Sequence, residues 1–422
     1  MKINVLIFPA GEINSIELHD ALASCVNINV YGASSIDRHG SYVFENYISG
    51  LPLITASDFF EKFNAIITEK NIDVIFPTHD TVATFLADNA DKLKAKLISA
   101  DKLTSAICRN KQKIYDTFAN YDFVPKTYSH IKELPVFIKP KEGQGAVGTK
   151  LINSLSDIPD INLDEYVICE YLPGKEYTID CLTDKNGNLC FVSPRSRKRI
   201  MAGVSVAGEI ETLTPEIKNI AEQINNKLSF LGLWWFQIKQ DINGKWKLLE
   251  ISTRCAGTMA LTRARGVNLP LLSVYIAMGY DISADVNLYH VTMDSSLIRR
   301  YKIDYDYDTV YFDFDDTLTL RGKVNLKAIW FLYQCQNLGK KVILLTKHEK
   351  EIYETMNSYH IDKGLFHKII HIKPTEKKSD FINPNKAIFI DNAYQERAEV
   401  RKNHNIPVLD VDGLDVLMDW RY

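Results

Sequence analysis

Over the first hundred residues, short apolar runs alternate with amphipathic stretches. Residues 5–8, 26–31 and 74–77 are apolar runs of strand length, while 15–23, 56–70 and 81–90 carry helical spacing. That alternation predicts a parallel sheet with helices on its faces. Thr78-His79-Asp80 follows the third run, at the sheet edge where open α/β folds bind ligands. Asp80 stands where it would cap the next helix. The pattern turns helical over 100–121 until Pro125 breaks it. Strands are then predicted at 136–138, 150–152, 167–169, 175–182 and 189–193, and a helix at 214–230. Asp241-Ile242-Asn243-Gly244 turns 233–238 and 247–251 into a hairpin. Residues 281–308 lose periodicity and gain charge and tyrosine, which predicts a domain boundary. Beyond it, apolar runs at 310–312, 342–345 and 387–390 predict a second parallel sheet.

Composition narrows the class. A chain of 422 residues is too long for one core and suggests two or three domains. Its 46% hydrophobic and 24% charged content is that of a globular protein. A net charge of −3 gives no reason to expect nucleic acid or an anionic membrane as partner. Seven scattered cysteines without a CxxC pair suit free thiols and a cytoplasmic location. The N-terminal apolar run is too short for a signal peptide, and no run approaches the ~18–20 residues of a membrane helix.

The candidate chemistry begins at Phe137-Ile138-Lys139-Pro140. A strand delivers a lysine, and Gly143, Gly145 and Gly148 follow in a loop whose backbone N–H groups can converge on phosphate. It is not a Walker loop, because no Gly-Lys-Ser/Thr follows. The basic stretch Arg195-Ser196-Arg197-Lys198-Arg199 is either a solvated face or the lining of an anionic site; Arg195, Lys198 and Arg199 suggest an anionic substrate. In the last region, Asp313-Phe314-Asp315-Asp316 packs three carboxylates behind a strand, and their repulsion calls for a cation or a proton.

The order and spacing of these features over residues 1 to about 300 resemble the ATP-grasp superfamily, in the branch near carbamoyl-phosphate synthase and the amino-acid ligases. The resemblance makes Lys111 and Lys139 nucleotide-binding lysines and Gly143, Gly145 and Gly148 a lid over the phosphates. It makes Glu170 and Leu172 the hinge that reads adenine, and Glu176 the acid on the ribose hydroxyls. Gln237 and Glu250 become metal-facing, and Arg254 faces the transferred phosphate. The family's Glu-x-Asn-x-Arg is here Glu250-Ile251-Ser252-Thr253-Arg254, so Ser252 stands where an amide ligand is usual. The implied cofactors are ATP and Mg2+. The implied reaction joins a small carboxylic acid to an amine through an acyl phosphate, with a kinase-like phosphotransferase or a nucleotide-binding regulatory module as alternatives.

Residues from about 305 to 422 resemble the haloacid dehalogenase superfamily of phosphatases. Asp313 takes the place of the nucleophile and Asp315 that of the general acid. Thr346 is the phosphate-binding hydroxyl, and Lys378 the neutralising lysine, with Lys377 and Lys373 as alternatives. Asp391 closes a magnesium site with Asp313 and the Asp315 carbonyl; Asn392 replaces a second acid common in relatives. The motif intervals leave no room for a cap. The expected organisation is α/β throughout. It comprises a pre-ATP-grasp α/β domain at 1–100, an ATP-grasp α+β domain at 101–300 and a capless Rossmann-like haloacid dehalogenase domain at 305–422. Expected partners are a small-molecule carboxylate and an amine or sugar-derived substrate, in sugar or surface-glycan modification. A homodimer is the candidate assembly, and neither nucleic acid binding nor membrane insertion is expected.

Overall fold

The apolar run at the N-terminus becomes the central strand of a parallel sheet. In this computed structural model, residues 2–131, 133–143, 145–201, 203–287, 289–296, 301 and 303–419 are described. Gln144 of the glycine loop, and 288, 297–300 and 302 of the expected boundary, lie outside them. The chain divides into two compact units, Met1–Leu297 and Ile298–Tyr422.

In the first unit, β1 (Ile3–Phe8), β2 (Ile28–Ala33), β3 (Asn46–Ile48), β4 (Val74–Pro77) and β5 (Lys96–Leu97) pair in parallel in the order β3-β2-β1-β4-β5. Leu6 and Ile7 point to opposite faces of β1 and are both buried, so the run is apolar throughout rather than alternating. The helix predicted at 56–70 forms at Phe59–Glu69 and buries Phe59, Phe63 and Ile67 at four-residue spacing. One expectation is corrected at the next helix, Asp80–Asp88. Its cap is His79, whose Nδ1 accepts from the Thr81 amide, and Asp80 lies in the first turn. Asp80 is drawn off the cap by Arg254, which donates to both of its carboxylate oxygens at 2.8 Å.

The helical stretch at 100–121 is two helices, Lys102–Arg109 and Lys111–Thr117. Asn110 separates them, because its side-chain oxygen accepts from the Gln112 and Lys113 amides and starts the second helix. Lys111 thereby opens a helix. After it, β6 (Thr127–Tyr128), β7 (Val136–Pro140), β8 (Lys150–Ile152) and β9 (Tyr166–Glu170) form an antiparallel sheet in the order β6-β9-β7-β8. The remaining strands are β10 (Glu176–Thr183), β11 (Leu189–Ser196), β12 (Arg199–Met201), β13 (Val204–Glu209), β14 (Gly232–Gln240), β15 (Trp246–Ser252) and β16 (Thr292–Asp294). They make an antiparallel sheet β11-β10-β14-β15 and a small sheet β12-β13-β16. Because β16 pairs with β13, part of the stretch without periodicity is strand. Residues 1–100, expected as a domain of their own, keep one core to themselves, around Leu6, Phe8, Phe59 and Phe63, and share another with later elements: Val5, Ile7 and Phe76 cluster with Leu233 and Trp235 of β14 and Val274 of the helix Leu269–Ala277.

In the second unit, β17 (Thr309–Phe312), β20 (Lys341–Thr346), β21 (Lys368–His371), β22 (Ala387–Ile390) and β23 (Val408–Leu409) form a parallel sheet in the order β21-β20-β17-β22-β23. The short hairpin β18 (Thr319–Leu320) and β19 (Lys323–Val324) lies between the first two of these in sequence. Parallel pairing brings the carboxyl ends of β17, β20 and β22 to one edge. Among the described residues of the chain, no helix is long and apolar enough to cross a membrane.

Asp180 and Arg195 pair on the diagonal across β10 and β11, where Arg195 opposes Thr178, at 0% and 1% exposure, with the arginine's Nε and Nη2 on the carboxylate at 2.9–3.1 Å. Thr262 and Thr258 complete the set. Arg195→Met should cost roughly 3–5 kcal/mol in denaturant unfolding, because it strands a buried carboxylate. Wild-type stability of that variant would contradict a structural role for the pair.

Candidate functional site

Lys139 ends the buried portion of β7 and is itself only 4% exposed. Its ammonium donates to the Tyr115 hydroxyl and to the Leu249 carbonyl at 3.2 Å, and no carboxylate lies within ion-pair distance among the described residues. Lys111, at the start of its helix, reaches the Gly143 carbonyl at 3.4 Å and Glu250 at 3.9 Å. Burial, with repulsion from Lys139 and Arg109, holds its pKa below the usual lysine range despite Glu250. Both lysines line a cleft of about 220 Å³ together with Gly143, Gly145, Glu170 and Leu172. Gly148 also has positive φ but is not part of the lining. Glu170 accepts from the Lys126 amide at 2.8 Å.

The far wall of the cleft is the β10-β14-β15 sheet. Glu176, Gln237 and Glu250 share one face of it, since Thr178 opposes Gln237 and Gln237 opposes Glu250 in register. Glu176 is bridged by Arg197 and, at 3.3 Å, by Lys239. Arg197 also donates to Gln237 Oε1 at 2.9 Å and to the Gly203 carbonyl at 3.1 Å. The β12–β13 turn closes on the glycine loop here: a Cβ on Gly203, at φ +77°, would sit 1.7 Å from the Gly145 oxygen. Only glycine permits that approach.

A second cavity, about 340 Å³, adjoins the first; Gly145, Val147, Arg197, Gly203, Gln237 and Glu250 line both. Its floor carries Arg254, Trp235 and Arg195. Ser252 Oγ donates to Asp80 at 3.0 Å, on the same carboxylate that holds Arg254. Burial pushes the Asp80 carboxyl up, but the Arg254 guanidinium outweighs it and leaves the pKa below the usual carboxylate range.

The basic stretch is not one charged face. Arg195 is consumed by Asp180, Lys198 pairs with Glu209 at 2.7 Å, and Arg199 pairs with Asp294. Arg197, which the charge argument passed over, is the member aimed at the junction of the two cavities. Asp80 and Trp235 were missed as well. Trp235 was open to detection, because it precedes Gln237 by two positions on one strand and so shares its face.

In the second unit, Lys378, Asp313 and Asp391 are 2%, 6% and 0% exposed. The Lys378 ammonium bridges Asp313 at 2.7 Å and Asp391 at 2.6 Å, whereas Lys373 and Lys377 are exposed. Thr346 is buried at the end of β20, the strand that pairs with β17, and its Oγ accepts from the His348 amide at 3.3 Å. Asp315 faces His348 Nδ1 at 2.9 Å, and His348 Nε2 faces Thr355 Oγ at 2.9 Å. His348 is a further residue the motifs did not mark. Asn392 is tied to Thr317 through its backbone amide at 3.0 Å. Burial pushes the Asp313 carboxyl up from 3.8 to about 6, with the Asp391 charge adding and Lys378 opposing. Asp391 is pushed up by the same burial. For Lys378, burial is outweighed by the two aspartates, which raise its pKa.

Residues 162–296 match the family model described as ATP-grasp in the biosynthetic pathway with Ter operon. The chain carries an ATP-grasp domain. Its fold resembles N5-carboxyaminoimidazole synthetase from Staphylococcus aureus complexed with ADP, at TM-score 0.57 and 15% identity, over 70% of this chain and 83% of that one. It also resembles an L-amino acid ligase from Bacillus licheniformis, at TM-score 0.52 and 15% identity, over 66% and 74%. Rhizobium etli pyruvate carboxylase aligns at TM-score 0.54 and 14% identity, over 67% of this chain but only 29% of its own length. No curated protein sequence matches the chain at a significant level.

The raised Asp313 pKa has a sign. Relative to the unfolded chain, its contribution to stability is fully present below about pH 4 and is lost as pH rises through about 6. With divalent ions chelated, Asp313→Asn should therefore gain stability over wild type as pH rises from about 4 to about 7. Denaturant midpoints across that range check this; a gap between the two proteins that does not change with pH contradicts it.

Proposed function

We propose that the first unit is an ATP-dependent ligase that activates a small carboxylic acid as an acyl phosphate and passes it to an amine. The observation that carries this reading is Lys139 and Lys111, buried in a cleft opposite Glu250 and Gln237, with a second cavity opening past that pair. Polyphosphate oxygens would supply the counter-charge that Lys139 lacks and that Glu250 only partly gives Lys111. The base would lie toward Leu172 and Glu170, and the ribose toward Glu176.

Magnesium arriving with the triphosphate fits this set. Glu250 and Gln237 offer oxygen donors, and no group of three or more His, Cys, Asp or Glu is gathered as a cage among the described residues. Such a thin set suits an ion that keeps waters and phosphate oxygens as ligands. Bound there, it would offset charge on the phosphate oxygens. The chemistry then needs a carboxylate oxygen to attack the γ-phosphorus, so that the bond to the bridging oxygen breaks and ADP leaves with its electron pair. An amine next attacks the acyl carbon, phosphate leaves, and the amine gives up a proton.

We infer a phosphatase of haloacid dehalogenase type for the second unit, supported by Asp313, Asp391 and Lys378 gathered at one sheet edge. Two carboxylates on one ammonium leave a net negative charge, which suits a divalent cation held by Asp313, Asp391 and the Asp315 carbonyl. Asp313 would attack phosphorus, and the ester oxygen would leave with a proton from Asp315. Water would then release the phosphate, with Asp315 taking its proton.

ADP release screened over amino acids and sugar acids tests the first reading. Glu250→Gln should abolish it while the fold stays intact, and Lys139→Ala should weaken ATP binding by about 1.5–3 kcal/mol in calorimetry. Wild-type ATP affinity in that variant would remove Lys139 from the site. For the second unit, Asp313→Asn should eliminate magnesium-dependent hydrolysis of an aryl phosphate and leave ADP release nearly unchanged. Retained hydrolysis would refute Asp313 as nucleophile.

A further inference from the structure

Two N–H groups on side chains that line the second cavity lack partners among the described residues. Trp235 Nε1 and Arg197 Nε are buried and make no hydrogen bond among the described residues, and both residues line this cavity. Trp235 is 6% exposed, and the Arg197 side chain 9%. Buried donors without acceptors are rare and call for an explanation. The neighbouring indole gives the contrast: Trp234, on the opposite face of β14, donates from Nε1 to Thr183 at 2.8 Å.

Register places the first of these donors, and Glu176 and Gln237 hold the second. Trp235 opposes Ser252, and Gln237 opposes Glu250. Trp235 therefore stands about 6–7 Å along the strand from the metal-facing pair. Lys239 and Leu249 lie on the other side of that pair and line the nucleotide cleft. The order along the sheet is base end, phosphate end, then Trp235.

We infer that Trp235 Nε1 and Arg197 Nε seat one carboxylate oxygen of the acid substrate, leaving the other oxygen to attack phosphorus. This rests on the ligase reading. Charge fixes the class of acid. The cavity's three guanidinium groups are already matched: Arg195 by Asp180, Arg197 by Glu176 and Arg254 by Asp80. The two glutamates of the lining are matched as well, Glu12 by Arg38 at 2.9 Å and Glu250 by Lys111 at 3.9 Å. The cavity thus offers two donors without surplus positive charge. That selects a monocarboxylic acid over a phosphorylated or polycarboxylic one.

The full chain with 15N-labelled tryptophan, saturated with ADP and magnesium, tests this. Trp235→Phe assigns the indole resonance and keeps the ring against Arg254. Acetate, lactate, gluconate and the neutral amino acids are titrated singly, with inorganic phosphate and citrate alongside. At least one monocarboxylate should move the Trp235 indole and leave Trp234 in place. In turnover, Trp235→Phe should raise the KM for that acid about tenfold or more and leave the KM for ATP unchanged. The inference is overturned when no monocarboxylate moves Trp235, or when only phosphate or citrate does. Failure of the two readings separates cleanly. ADP release with an unmoved Trp235 sinks this inference alone. A moved Trp235 without any acid-stimulated ADP release keeps the carboxylate seat and sinks the ligase.

Discussion

Buried positive charge without matching negative charge is the constraint on which the first unit turns. Lys139 is held almost out of water with a phenol hydroxyl and a peptide carbonyl as its partners. Lys111 is desolvated and repelled by two neighbouring cations, and Glu250 at 3.9 Å offsets this only in part. An ammonium in that position carries a desolvation cost that neutral acceptors only partly offset. A polyanion entering the cleft would offset the rest. The fold meets the cost elsewhere, through large apolar clusters around β1 and β10–β15.

The second unit solves the converse problem. There two carboxylates are buried, and one lysine lies between them. In both units the site is set by strand geometry. Period-two alternation on β14 and β15 lines up Trp235 with Gln237, and Glu250 with Ser252. Parallel pairing lines up the ends of β17, β20 and β22. Each device fixes side chains to a rigid sheet and leaves the connecting loops free to vary.

Much of this was readable from the chain because strand ends and glycines leave local signals. The run before Lys139, the hairpin turn at 241–244 and the acids after residue 312 all fall where the periodicity places them. What escaped depends on distant partners. Asp80 has the local look of a helix cap, and only Arg254, far along the chain, takes it off that duty. Arg197 sits among four other polar residues, between two strands, and its partners Glu176 and Gln237 decide that it, rather than Lys198 or Arg199, turns inward. Asn110 breaks a helix that spacing alone would continue, because its side chain caps the next turn. His348 is near Thr346 in sequence, but its pairing with Asp315 joins two strand ends.

An acyl phosphate leaves an isotopic mark, and that mark is the most direct test of the ligase chemistry. An acid that stimulates ADP release is labelled with 18O in its carboxylate and turned over with ATP and an amine. Attack by the carboxylate on phosphorus followed by displacement at carbon moves one 18O into the inorganic phosphate, which mass spectrometry detects. Full turnover with unlabelled phosphate would contradict an acyl-phosphate ligase.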